Sequence, residues 1–180
     1  MGRIIIVTGP PGAGKTTVAG RLSQRTGAPL SMHLHTDDFF GYVRKGFIPP
    51  WQPESQRQNA VLINAMAATA AICARGGYEV YVDGIVGAWS LQIWIEAART
   101  QGLELRYVVL MPDEATTVGR CLARRGPRAM NDGDVSRRLW RKFEADGAPA
   151  GCAIDTTEHE IADTLAAVQA GLAEGCFRLS

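Results

Sequence analysis

Between an apolar β-branched run, Ile4-Ile5-Ile6-Val7, and a helical pattern that begins at Lys15 lies Gly9-Pro10-Pro11-Gly12-Ala13-Gly14-Lys15-Thr16. The spacing Gly-x-x-x-x-Gly-Lys-Thr lets successive backbone N–H groups converge on phosphate oxygens. It also puts an ammonium where it bridges distal phosphates and a hydroxyl where it meets a magnesium ion. The helix that follows adds the positive end of its dipole. This one feature dictates a strand, a tight loop and a helix in that order. It predicts nucleotide binding by Gly9, Gly12, Ala13, Gly14, Lys15, Thr16 and Thr17. A glycine-rich turn with an incidental Lys and Thr is the competing reading, and the flanking strand and helix count against it.

The remaining chain behaves as one unit. Its 180 residues, 46% of them hydrophobic, are enough for one compact domain spanning 1–180 with a sizeable core. Lys plus Arg number 19 and Asp plus Glu 18, so no overall charge excess points to a nucleic-acid or membrane partner. Cys73, Cys121, Cys152 and Cys176 are far apart, without a C-x-x-C pair, and read as reduced thiols of a cytoplasmic protein. The apolar run after Met1 is too short for a signal peptide, and Asn59 to Ala74 reads as a buried helix rather than a membrane span.

Short β-branched runs alternate with helical patterns to the C-terminus, which predicts an α/β fold with a parallel sheet between layers of helices. Strands are expected over Arg3 to Thr8, Leu30 to His35, Glu79 to Asp83, Glu104 to Leu110 and Cys152 to Asp155. Helices are expected over Lys15 to Thr26, Pro53 to Arg75, Trp89 to Gln101, Asp113 to Arg124, Asp134 to Glu144 and Glu158 to Ala173. Two irregular stretches interrupt this rhythm. Residues 39–58, rich in aromatics, Gly and Pro, read as a loop over an acceptor pocket, and 124–134 as a short basic lid.

A phosphate loop does not by itself separate GTPases, motor ATPases, sulfotransfer enzymes and kinases. The chain has no Asn-Lys-x-Asp segment to read guanine and is short for a motor. At the end of the second strand, His33-Leu34-His35-Thr36-Asp37-Asp38 delivers two acids to the edge where α/β folds bind ligands. A hydroxyl attacking a terminal phosphorus needs its proton removed, and a carboxylate in reach can take it. The phosphate loop followed by a strand ending in Asp-Asp resembles the small-molecule P-loop kinases that include chloramphenicol phosphotransferase, the zeta-toxin kinases and the polynucleotide kinase domain.

That resemblance implies a three-layer sandwich with a five-stranded parallel sheet in the order 2-3-1-4-5. It also implies that Asp37 is the catalytic base, with Asp38 a helix cap; the competing reading makes the pair a capping cluster only. The third strand ends in Asp83-Gly84. By the same resemblance, Asp83 faces Thr16 and orients magnesium waters or the acceptor; otherwise it caps the next turn.

Arg120, Arg124, Arg125 and Arg128, then Arg137, Arg138 and Arg141, form the main basic cluster. Phosphoryl transfer needs charges that close over the transferring group. Arg120 and Arg124 resemble the arginine pair at the lid base of nucleotide kinases, and Arg138 resembles the returning lid arginine, with a weaker case for Arg128. The alternative is a solvated basic face. Asp155-Thr156 resembles the pair that precedes the adenine loop in chloramphenicol phosphotransferase, which implicates Thr156. Locally, Thr157 and Glu160 fit a capping box.

On the acceptor side, Phe40, Arg44, Trp51, Asp37 and Asp83 are the candidate contacts, with His33 read as core and His35 as core or crevice. The run from His33 to Tyr42, with Gly46 to Trp51, also resembles a bacterial subgroup of cytidylate-kinase-like proteins, although the chain lacks the arginine-bearing domain that genuine cytidylate kinases insert. The expectation is an ATP- and magnesium-dependent kinase acting on a hydroxyl of a metabolite, sugar nucleotide or antibiotic. Catalysis would fall to Asp37, Lys15, Arg124 and Arg138, with Thr16 and Asp83 at the metal. A nucleoside or nucleotide kinase and a non-catalytic ATP-dependent switch are the alternatives.

Overall fold

A computed structural model describes residues 2–125 and 131–179. Among them the elements run β1 (Arg3–Thr8), α1 (Lys15–Arg25), β2 (Ser31–His35), α2 (Thr36–Gly41), a 3-10 turn (Pro53–Ser55), α3 (Gln56–Arg75), β3 (Glu79–Asp83) and α4 (Ala88–Thr100). Then follow β4 (Glu104–Leu110), α5 (Glu114–Leu122), α6 (Gly133–Asp146), β5 (Ala153–Ile154) and α7 (Ile161–Ala173). The five strands are all parallel in the order β2-β3-β1-β4-β5, which is the expected fold.

Why the sheet sits between two helical layers is visible in β1. Ile4 and Ile6 point to one face, where Val80, Val82 and Leu105 meet Met66, Ala70 and Ala74 of α3 and Trp94 of α4. Ile5 and Val7 point to the other, against Val18 and Leu22 of α1 and Leu165 and Val168 of α7. A strand buried on both faces needs continuous β-branched residues, and the central isoleucines are wholly inaccessible. Each such side chain contributes about 1.5–3 kcal/mol, against about 0.3–1 kcal/mol for a charge at a helix end, so strand burial rather than capping fixes the register.

The helix starts depart from expectation by more than one residue in three places. The chain turns into α2 at Thr36, directly after β2, so Asp37 and Asp38 lie in its first turn and Asp38 is not a cap. The first turn of the helix expected from Pro53 is 3-10, and α-geometry begins at Gln56. The last helix starts at Ile161 rather than Glu158. Asp155 Oδ1 accepts from both the amide and the hydroxyl of Thr157, which removes Thr157 as a cap, and Asp163 accepts instead from the Glu160 amide. Of the expected lid, residues 126–130, with Arg128, lie outside the described residues.

Candidate active site

Parallel strands bring their C-terminal ends to one edge, and there β1, β2 and β3 deliver the phosphate loop, Asp37 and Asp83 side by side. The loop turns through left-handed glycines, Gly12 at φ 97° and Gly14 at φ 86°. These are conformations that side chains rarely adopt. A Cβ on Gly12 would also collide with the Thr117 carbonyl of α5. α6 braces the loop from the same side: buried Ser136 donates its hydroxyl to the Pro11 carbonyl at 3.3 Å. Lys15, nearly buried, donates to the Pro10 carbonyl at 2.9 Å. Burial, and then the positive charge of Arg124, lower its pKa to about 8 against the pull of Asp37 and Asp83. Gly9 and Ala13 are buried in the same loop, and Thr16 and Thr17 are exposed on the first turn of α1.

Asp83 is the hub. It is wholly buried, yet accepts from Thr16 Oγ1 at 2.5 Å, His33 Nε2 at 2.6 Å and His35 Nδ1 at 2.9 Å. Burial pushes its carboxyl up, but the hydrogen bonds from His33, His35 and Thr16 outweigh this and hold it well below the usual carboxylate range. A carboxylate only accepts, so both imidazoles turn an N–H toward it. The hydrogen bond to Asp83 likewise raises His35 above the ordinary histidine value, with burial opposing. The other ring nitrogen of His35 lies 3.7 Å from Asp37 Oδ2. His33 is therefore not the core residue expected: its side chain is 26% exposed and bound to Asp83.

Behind this hub the strand ends are stitched tightly. Thr8 Oγ1 donates to the Gly84 carbonyl and accepts from the Val86 amide, both at 2.9 Å. Gly84, at φ 154°, leaves no room for a Cβ because the buried Thr36 side chain fills that space.

A cleft of about 680 Å³ opens beside Asp37 and Asp38. Phe40 and Trp51 line it; Arg44 is exposed and is not among its lining residues. The segment above the cleft is pinned. Gln58 accepts from the Ile48 amide at 2.9 Å and donates to its carbonyl at 2.7 Å, while Asn59 donates to the Pro50 carbonyl at 2.7 Å. The sequence reading missed the walls supplied by helices: Ile63 and Met66 of α3, Trp89, Ser90 and Trp94 of α4, and Leu139 of α6. Asn59, Ile63 and Met66 at helical spacing carried the one usable signal. A more open depression of about 400 Å³ between α3 and α4 lies away from all of these groups.

The arginines separate into two sets. Arg137 and Arg141 pair with Glu114, whereas the Arg124 and Arg138 guanidinium groups make no hydrogen bond or ion pair among the described residues. Both are exposed, and only Arg124 bears electrostatically on Lys15. Arg124 lies beyond the end of α5, so it does not share a helix face with Arg120 as the spacing suggested. Arg120 reaches the carbonyls of Thr157 and His159 at 3.5 and 3.3 Å. Beside them Thr156 is buried, its hydroxyl without a partner among the described residues. Among the described residues no helix is long and apolar enough to cross a membrane.

A family model described as an AAA domain matches residues 4–149. No curated protein matches the sequence. Among solved structures, the tunicamycin resistance protein of Deinococcus radiodurans is similar at a TM-score of 0.70 and 17% identity, over 96% of each chain. APS kinase of Mycobacterium tuberculosis in complex with AMPPNP and APS is similar at 0.66 and 16%, over 96% of this chain and 98% of that one. A gluconokinase from Sinorhizobium meliloti 1021 is similar at 0.64 and 19%, over 96% and 92%.

Proposed function

The chain belongs to the AAA domain family, and we propose that it is an ATP-dependent kinase that transfers the γ-phosphoryl group to a hydroxyl of a small molecule. The observation that carries this reading is the convergence of Lys15, the Thr16–Asp83 pair and Asp37 at one sheet edge, with a cleft of about 680 Å³ on the Asp37 side. A hydrolytic switch has no need of that cleft beside a carboxylate.

In the transfer, the acceptor O–H gives its proton to the Asp37 carboxylate as its oxygen bonds to the γ-phosphorus. The bond from that phosphorus to the β–γ bridging oxygen breaks, and ADP leaves with the electron pair. Backbone N–H groups from Gly9 to Thr16 hold the phosphates, and Lys15 and Arg124 meet the charge that builds on the bridging and terminal oxygens. Arg138, exposed on α6, completes that set on closure, while Arg120 and Thr156 line the nucleotide side. The likeness to APS kinase, solved with AMPPNP, supports ATP as donor.

The hydroxyl of Thr16 and the ionised carboxylate of Asp83, 2.5 Å apart, are hard oxygen donors of the kind a magnesium ion takes. Thr16 and Asp83 would hold magnesium, which would supply charge neutralisation for the phosphates. A soluble, cytoplasmic setting goes with this reading. The test is an acceptor screen that reports ADP production, with antibiotics, nucleosides, monophosphates and sugars in separate wells. ADP released at one rate whatever the acceptor would favour the switch instead.

A further inference from the structure

Resting on the kinase reading above, we propose that the acceptor is an uncharged, ring-bearing alcohol rather than a phosphorylated, sulfated or carboxylated one.

The cleft has the volume of a drug-sized ligand, about 680 Å³. Phe47 and Trp51 form its outer wall, Ile63 and Met66 its α3 wall, and Trp89 with Leu139 the facing side. These are broad apolar and aromatic surfaces suited to a planar ring. The charged side chains lining it are Asp37 and Asp38, with His35 beside them; among the described residues no lysine or arginine does so. Arg44, Lys45 and Arg57, nearest in the chain, are exposed and lie outside the lining.

An anionic group placed here would lose its water, find no lysine or arginine, only the His35 imidazole already bound to Asp83, and face two carboxylates, an arrangement that proteins avoid for buried charge. A polyol fares little better. Each of its hydroxyls needs a partner on binding, and away from the acids the side-chain partners are few: the Ser90 hydroxyl, the unpartnered Asn59 Oδ1 and the indole N–H groups, of which that of Trp94 is buried and unpartnered among the described residues. The Asn59 amide nitrogen already donates to the Pro50 carbonyl and to Ser55 Oγ. What fits is a ring against the tryptophans, with few polar groups and a hydroxyl at the Asp37 end. The chemistry of transfer is that given above, with this hydroxyl as the oxygen that bonds to phosphorus.

The test pairs binding with turnover. N-acetylphenylalaninol and phenethyl alcohol are titrated against the whole protein by tryptophan emission, beside gluconate and AMP, and the same four compounds are offered with ATP and magnesium in an ADP-release assay. The two uncharged alcohols should bind about tenfold more tightly than the anions and stimulate ADP release where the anions do not. Trp51 is 44% exposed, so Trp51→Ala keeps the core intact. It should weaken the aromatic probes about fivefold more than it weakens ADP, since it removes one stacking wall. Preferential binding or phosphorylation of gluconate or AMP overturns the acceptor class. So does failure of both alcohols to bind at millimolar concentration, or indifference of their binding to Trp51→Ala. Cleft binding of the alcohols without any ADP release leaves the cleft's preference for uncharged rings standing and counts against the kinase reading on which the acceptor class rests.

Discussion

Thr16 and Asp83 are joined by a 2.5 Å hydrogen bond that ties the first turn of α1 to the end of β3, on a carboxylate already held by His33 and His35. The phosphate loop is thus referenced to the sheet through a buried, ionised group rather than through loop packing alone.

Asp37, in the first turn of α2, takes no part in that tie. Asp37→Asn is expected to lower turnover on the true acceptor by roughly two orders of magnitude or more while ADP affinity stays near wild type. Steady-state kinetics and calorimetric ADP titration measure the two. Full activity in this variant would remove Asp37 as the base.

The depressed pKa of Lys15, about 8, has a thermodynamic signature. Polyphosphate beside the amine favours its charged form, so nucleotide binding near or above that pH draws in a proton. Calorimetry in buffers of different ionisation enthalpy should show uptake of up to about one proton there, fading a unit or more below it. Lys15→Met should lack this uptake; an unchanged proton count in the variant would place the effect elsewhere.

The Asp83 cluster sets a pH window for stability. Asp83 has a lowered carboxyl pKa, so its contribution is present above the ordinary aspartate range and lost as pH falls toward its folded value. His35 is raised, so its contribution is full below the ordinary histidine value and lost as pH rises through its folded value. The cluster therefore stabilises most between about pH 4 and about pH 6.5. Thermal unfolding against pH should fall on both sides of that window, and His35→Gln should flatten the alkaline limb.

Gly84→Ala tests the packing behind the hub. A methyl group there runs into buried Thr36 at a backbone φ of 154°, a conformation that favours glycine. The expected loss is about 1–3 kcal/mol, read by urea unfolding. Wild-type stability would mean that the two strand ends separate more easily than their hydrogen bonds suggest.

Gln58 clamps the Ile48 amide and carbonyl, so Gln58→Leu should release them at a cost of about 1 kcal/mol or more. Hydrogen exchange at the Ile48 amide reports this directly, as faster exchange in the variant. Unchanged exchange would mean that the segment is held by other contacts.

Much of the fold was legible because the signals were local. Ile4 to Val7 could only be a strand buried on both faces, and Gly9 to Thr16 only a turn into a helix. Asp83 at the end of β3 and Asp37 just beyond β2 followed from position alone. What escaped the sequence was either too short or too distributed. Helix α2 has six residues, fewer than two turns, so no period could declare it.

The alternation of His33 and His35 along β2 was plain, but their target was not. His35 is opposite Asp83 only through the parallel β2–β3 register, a pairing that connects residues 48 apart. The cleft walls come from helices far apart in the chain, and no local pattern joins Met66 to Leu139.

Helix α6 holds the phosphate loop through Ser136 and, three residues on, gives Leu139 to the cleft. Loop contact is made to a main-chain carbonyl, whereas the cleft contact is a side chain. Descendants of this chain can thus exchange Leu139 and its facing side chains to suit a new acceptor while the backbone that grips the donor stays where it is. Selection can act on the receiving half without reopening the giving half.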